Sequence, residues 1–80
     1  MNREEVYEKL NEVFRDTFDD ENISVHDDTV SSDIEGWSSL AHVGLIVNVE
    51  ECFDIKFTMG EVSSMKNVGD MVDTIIKKLS

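Results

Sequence analysis

The stretch Gly36–Phe53, GWSSLAHVGLIVNVEECF, decides how the chain is read. From Ser39 to Phe53 the apolar residues Leu40, Val43, Ile46, Val47, Val49 and Phe53 recur at helical spacing, so the pattern predicts a helix that buries a broad stripe. Two serines stand at its start, and closing a first turn needs only one of them. Ser38 can cap the helix, and so can Ser39. Ser39 stands at or next to the helix N-terminus, where N–H groups lack partners and the helix dipole favours a negative group. Leu40 is expected to point into the core and hold this turn, with Trp37 covering the loop before it. Gly44 lies inside the helix and costs up to about 1 kcal/mol relative to alanine. Close packing or plain tolerance explains it, as does a bare surface for an approaching partner.

Upstream, Val6, Leu10, Val13, Phe14 and Phe18 mark a helix over about residues 2–18, with Asn2 as its cap and Glu5 as the capping-box partner. Downstream, Val68, Met71, Val72, Ile75, Ile76 and Leu79 fill one face of a last helix. Asn67 caps it, Asp70 lies in its first turn, and Lys77 and Lys78 sit where the dipole favours positive charge. A short helical turn is expected near residues 60–64, after the anchors Ile55 and Phe57. The polar segment 19–39 joins the first two helices. Connections this long are uncommon in compact domains and are often functional. Its apolar residues Ile23, Val25, Val30, Ile34 and Trp37 are expected to pin it across the helices. The predicted fold is all-α, a small three-to-four-helix bundle with a long loop between the first and second helices, in one domain over residues 1–80.

Composition narrows the function. The chain has 80 residues, seven basic and eighteen acidic, for a net charge of −11. Such a chain repels nucleic acid and anionic membranes and attracts partners with basic patches. The N-terminus has no apolar leader, and no stretch approaches a membrane span. With the single cysteine, Cys52, excluding an internal disulfide, the expected setting is a reducing cytoplasm. Cys52 has acidic neighbours and is expected to be structural. His42 and His26 have no local partner at metal-ligand spacing, and His42 is expected on the exposed side of its helix. The acidic loop residues lack the pattern of a calcium-binding loop, and no nucleophile–base arrangement can be assembled, so neither a metal site nor an enzyme is expected. Met59, Met65 and Met71 suit a deformable core or a mobile short helix.

The residues Gly36, Ser39, Leu40, Val43, Val47, Glu50, Glu51, Phe53 and Ile55, in register and without gaps, resemble the core of the acyl carrier proteins, whose motif Gly-x-Asp-Ser-Leu precedes a helix and then Glu-Glu-x-Phe-x-Ile. The segment NVGDMVDTI resembles the start of that family's last helix. The resemblance implies a non-catalytic carrier. A phosphopantetheinyl transferase would move 4′-phosphopantetheine from coenzyme A to Ser39, and the arm's thiol would hold acyl or aminoacyl groups as thioesters. It implies as further partners a loading ligase or acyltransferase and a ketosynthase or other thioester-using enzyme, met by a monomer without stable membrane insertion. Partner contacts are expected from Leu40, His42, Glu50, Glu51, Asp54 and Glu61. The chain departs from the motif at Ser38, where the family has Asp. The helix face after Ser39 also lacks the usual acidity at Ala41, His42, Gly44 and Asn48. Together these suggest a specialised fatty-acid, polyketide or secondary pathway. The competing reading is an unmodified acidic helical interaction module; a calcium-responsive helical domain is a third.

Overall fold

Every α-helix of this protein begins at a side chain that closes its first turn. In the computed structural model, which describes residues 1–80, α1 spans Arg3–Phe18, α2 Ser39–Phe53, α3 Met59–Ser64 and α4 Val68–Leu79, with one turn of 3₁₀ helix at Ser31–Asp33 and no strand. Asn2 Oδ1 accepts the Glu5 N–H at 2.8 Å, and Glu5 Oε1 accepts the Asn2 N–H at 3.1 Å. Ser38 Oγ accepts the Ala41 N–H at 3.1 Å, and Asn67 Oδ1 the Asp70 N–H at 2.8 Å. Thr58 and Glu61 form a second capping box at α3. Their Thr-x-x-Glu spacing is the local signal that starts α3 at Met59, one residue before the expected turn. These caps satisfy N–H groups that a helix start otherwise leaves without partners.

The core gathers fourteen buried residues. α1 contributes Val6, Leu10, Val13 and Phe14, and packs against both α2 and α4. α4 contributes Val68, Met71, Val72 and Ile75, while Ile76 and Leu79 pack at the margin. The long loop adds Ile23 and Val25 to the core and rests Val30, Ile34 and Trp37 partly buried at its edge. Polar bonds fix its course. Arg15 Nε donates to the Ile23 carbonyl at 2.7 Å, and Val25 N–H donates to Asn11 Oδ1 at 2.8 Å. At the far end, Val68 N–H and Gly69 N–H, both in the first turn of α4, donate to the carbonyls of Thr29 and Asp27 at 2.9 Å each. The loop thereby closes the start of α4. Arg3 adds a clasp, reaching Asp27 at 2.7 Å and Asp73 at 2.6 Å, and the Tyr7 hydroxyl also donates to Asp27.

α2 departs from the expected burial. Its buried residues are Leu45, Ile46, Val49 and Phe53, whereas Leu40, Val43 and Val47 are 84%, 62% and 46% exposed. The helix carries apolar residues around most of its circumference, so spacing alone does not select the side that the neighbours cover. Leu40 therefore points to water and does not anchor the turn from within. Cys52 is exposed, not structural. Met59 is likewise exposed while Met71 is buried, so only part of the methionine set belongs to the core. Gly44 has open space where a side chain would stand, which removes close packing as its reason.

Candidate functional site

The site is built around the turn Gly36–Ser38 that feeds α2. Gly36 has φ of +88°, a backbone conformation that side chains disfavour. The turn is held by the Ser38 N–H donating to the Gly36 carbonyl at 2.9 Å and the Trp37 N–H to the Ile34 carbonyl at 3.3 Å. Trp37 is wedged by aromatic contacts. Its ring meets Phe14 edge-on at 5.2 Å and lies 6.1 Å from Phe18. Such edge and tilted arrangements suit the ring quadrupoles. The chain thus reaches Ser38 from a fixed point, and Ser38 is committed to the cap.

Ser39 follows as the first residue of α2. It is exposed, and its hydroxyl enters no hydrogen bond within the protein. The N–H groups of Ser39 and Leu40 belong to the first turn and have no acceptor within the helix. Beside them opens a cleft of about 470 Å³, whose walls include Ser39, Trp37, His42, Val30, Met65 and Lys66. The cleft joins the start of α2 to the loop and to the segment between α3 and α4.

His42 stands one turn beyond Ser39 on the same face. It is half-buried, not on the exposed side expected for it. The Trp37 indole Nε1–H donates to His42 Nδ1 at 3.0 Å, and the two rings stack at 5.9 Å with 23° between their planes. An indole only donates, so Nδ1 accepts and the imidazole proton lies on Nε2. Burial pushes the His42 pKa below its ordinary value, favouring this neutral form.

These observations accord with the known proteins that the chain resembles. It is 32% identical over 81 residues to an acyl carrier protein of Coprothermobacter proteolyticus, across 99% of this chain and 96% of the relative. The chain belongs to the acyl carrier protein family. Acyl carrier proteins are non-catalytic carriers. The fold agrees with the solution structure of a holo acyl carrier protein from Geobacter metallireducens, at a TM-score of 0.87 and 43% identity, covering 92% of this chain and 85% of that one. No protein-family model matches the chain.

Within this acyl carrier protein the acidic residues expected to meet partners divide into two pairs. Glu50 accepts the Phe57 N–H at 2.7 Å and so fixes the exit from α2. Glu61 accepts the Thr58 N–H and bridges to Lys78 at 2.8 Å, which holds its carboxyl below the usual range. Glu51 and Asp54 are exposed and make no such bonds. Asp54 ends α2 with φ of +54°. Val43 and Val47 are exposed apolar residues on α2 that the pattern does not assign to the surface; the excess width of the α2 stripe is their only signal. Lys66 and Val30 reach the cleft through tertiary folding, which no local pattern announces. No three His, Cys, Asp or Glu side chains are arranged to hold a metal ion, and no helix is long and apolar enough to cross a membrane.

Proposed function

We propose that Ser39 receives a 4′-phosphopantetheine arm and that the protein carries acyl or aminoacyl groups on it as thioesters. The observation that carries this reading is the division of labour between neighbours: Ser38 caps the helix, so the Ser39 hydroxyl is left exposed and uncommitted. The surroundings fit a phosphodiester. The first-turn N–H groups and helix dipole favour an anion there, Lys66 lies in the wall of the adjoining cleft, and the cleft offers room for part of an arm. When bound, the arm supplies the thiol that forms the thioester; the protein supplies attachment and recognition. In the loading step Ser39 Oγ attacks the pantetheine-side phosphorus of coenzyme A. The new O–P bond replaces the phosphoanhydride bond, adenosine 3′,5′-bisphosphate leaves, and the serine proton passes to a base of the transferase.

Partner enzymes would include the transferase, a loading ligase or acyltransferase, and a ketosynthase or other thioester-using enzyme. They would dock on the exposed face made by Leu40, Val43 and Val47, with Glu51 and Asp54 at its rim. Rim charges act mainly on encounter rate and are screened by salt, which suits a shuttle that must leave after each step. Ala41, His42, Gly44 and Asn48, which stand where general carriers are often acidic, support a dedicated pathway over a general one. A cytoplasmic setting suits both the arm's thiol and exposed Cys52, which stay reduced there.

The test is intact mass after incubation with coenzyme A and a broad-specificity phosphopantetheinyl transferase. Wild type and Ser38→Ala should gain the mass of the arm, and Ser39→Ala should not. A gain lost in Ser38→Ala alone would move the site by one residue. The competing reading, an unmodified interaction module, rests on Ser38 replacing the motif's acidic residue. It is favoured by wild type that gains no mass with any transferase.

A further inference from the structure

We propose that His42, oriented by Trp37, is a phosphate-binding residue of this carrier, its Nε2–H donating to the phosphodiester that would join the arm to Ser39. This rests on modification at Ser39. Three observations lead to it. Ser39 and His42 are one turn apart on the same face of α2, with neighbouring Cβ atoms about 5–6 Å apart at this spacing. Both also line the same cleft. The Trp37 indole occupies Nδ1 at 3.0 Å and stacks on the ring, so it fixes both the tautomer and the plane. Nε2–H remains, and no acceptor within the protein takes it up, although the residue is half-buried. A donor held this way in a partly desolvated cleft is a ready partner for an anionic oxygen.

The assignment separates the roles of the two residues. His42 contacts the phosphodiester, and Trp37 is a positioning residue that acts through it. Lys66, from the segment between α3 and α4, is the charged group that faces the cleft with them; no carboxylate lines it. On the α1 side the rings that meet Trp37 are those of Phe14 and Phe18. Attachment of a phosphodiester therefore brings a negative charge into a cleft that no carboxylate lines, and a nearby opposite charge favours the protonated imidazole, in which Nδ1 gains its own proton and gives up the Trp37 bond.

The experiment compares apo protein with protein loaded by a transferase, using proton and nitrogen NMR of the imidazole and phosphorus NMR of the arm across the histidine titration. On loading, the His42 midpoint should rise by about one pH unit. The phosphorus resonance should move with that same midpoint. In loaded His42→Gln, which keeps a donor near Nε2 but does not titrate, the phosphorus resonance should be flat across this range. Trp37→Phe keeps a ring but loses the indole donor. It should let the other imidazole tautomer appear and shrink the rise on loading. The apo–holo comparison needs no substitution, so it decides the question even where a variant fails to fold. A chain whose mass places the arm on Ser39, yet whose His42 midpoint is unmoved and whose phosphorus resonance is flat, overturns this inference alone. A chain that takes no arm at Ser39 overturns both readings.

Discussion

The amide nitrogen of Gly69 lies 2.9 Å from the carbonyl oxygen of Asp27, and a side-chain carbon on Gly69 would stand only 2.8 Å from that oxygen. The first turn of α4 is therefore built to receive the long loop at backbone distance. Gly69→Ala should push the loop away and destabilise the protein by about 1–3 kcal/mol, despite alanine's better helix propensity. Gly44→Ala, where nothing lies within 4 Å, should instead stabilise it by about 0.4–1 kcal/mol. Urea denaturation of both variants checks the contrast; equal midpoints would contradict it.

The two faces of α2 predict opposite outcomes for the same substitution. Leu45 is fully buried, so Leu45→Ala should cost about 2–5 kcal/mol. Leu40 is 84% exposed, so Leu40→Ala should change stability by less than about 0.5 kcal/mol. If Leu40 lies in a docking face, the same variant should weaken binding to partner enzymes, read by titration calorimetry against a transferase.

Ser38 supplies a single helix-capping bond, and its replacement should be felt as such. Ser38→Ala should cost about 1 kcal/mol in thermal or urea unfolding. Ser38→Asp keeps an accepting oxygen and adds charge that the helix dipole favours, for a gain of about 0.3–1 kcal/mol. With a transferase that reads the acidic residue of the family motif, Ser38→Asp should also be modified faster than wild type.

Tyr7 offers an optical titration of the loop clasp, because it is the chain's one tyrosine. Burial first, and then its bond to Asp27, push its pKa up to about 12 from 10.0. A raised pKa means that the folded state favours the protonated phenol. Its contribution to stability is thus complete below pH 10 and is lost as pH rises towards 12. Ultraviolet absorbance should show Asp27→Asn ionising earlier than wild type, yet above the ordinary value, since the burial persists. An unmoved midpoint would show that the Asp27 bond contributes nothing.

Helix limits are legible in the sequence because their signals are local. Asn2 with Glu5, Ser38 before an apolar run, and Asn67 with Asp70 each mark a start within four residues. Which of Ser38 and Ser39 caps α2 is not legible locally, because either can; the bond from the Ala41 N–H to Ser38 Oγ makes the choice in the folded chain. What the sequence withholds is the choice among faces. On α1 and α4 apolar residues keep to one side and name the core directly. On α2 Leu40, Val43 and Val47 compete with Leu45, Ile46 and Val49, and only tertiary packing, chiefly against α1, decides between them. His42 departs from its expected exposure for a related reason. Its half-burial comes from Trp37, whose position depends on contacts with Phe14 and Phe18 in a different helix. Of the four acidic residues on or near α2 and α3, Glu61 is announced by its Thr-x-x-Glu box, whereas Glu50 is recruited only by the folded backbone, through the Phe57 N–H.

The chain's one tryptophan forms part of the wall beside Ser39. Anything that enters that cleft displaces solvent from the indole, and a protonated imidazole stacked on it would quench its light. The molecule consequently contains an intrinsic fluorophore at the very place of interest, and occupancy there can be followed by emission colour and intensity, in real time and without a label.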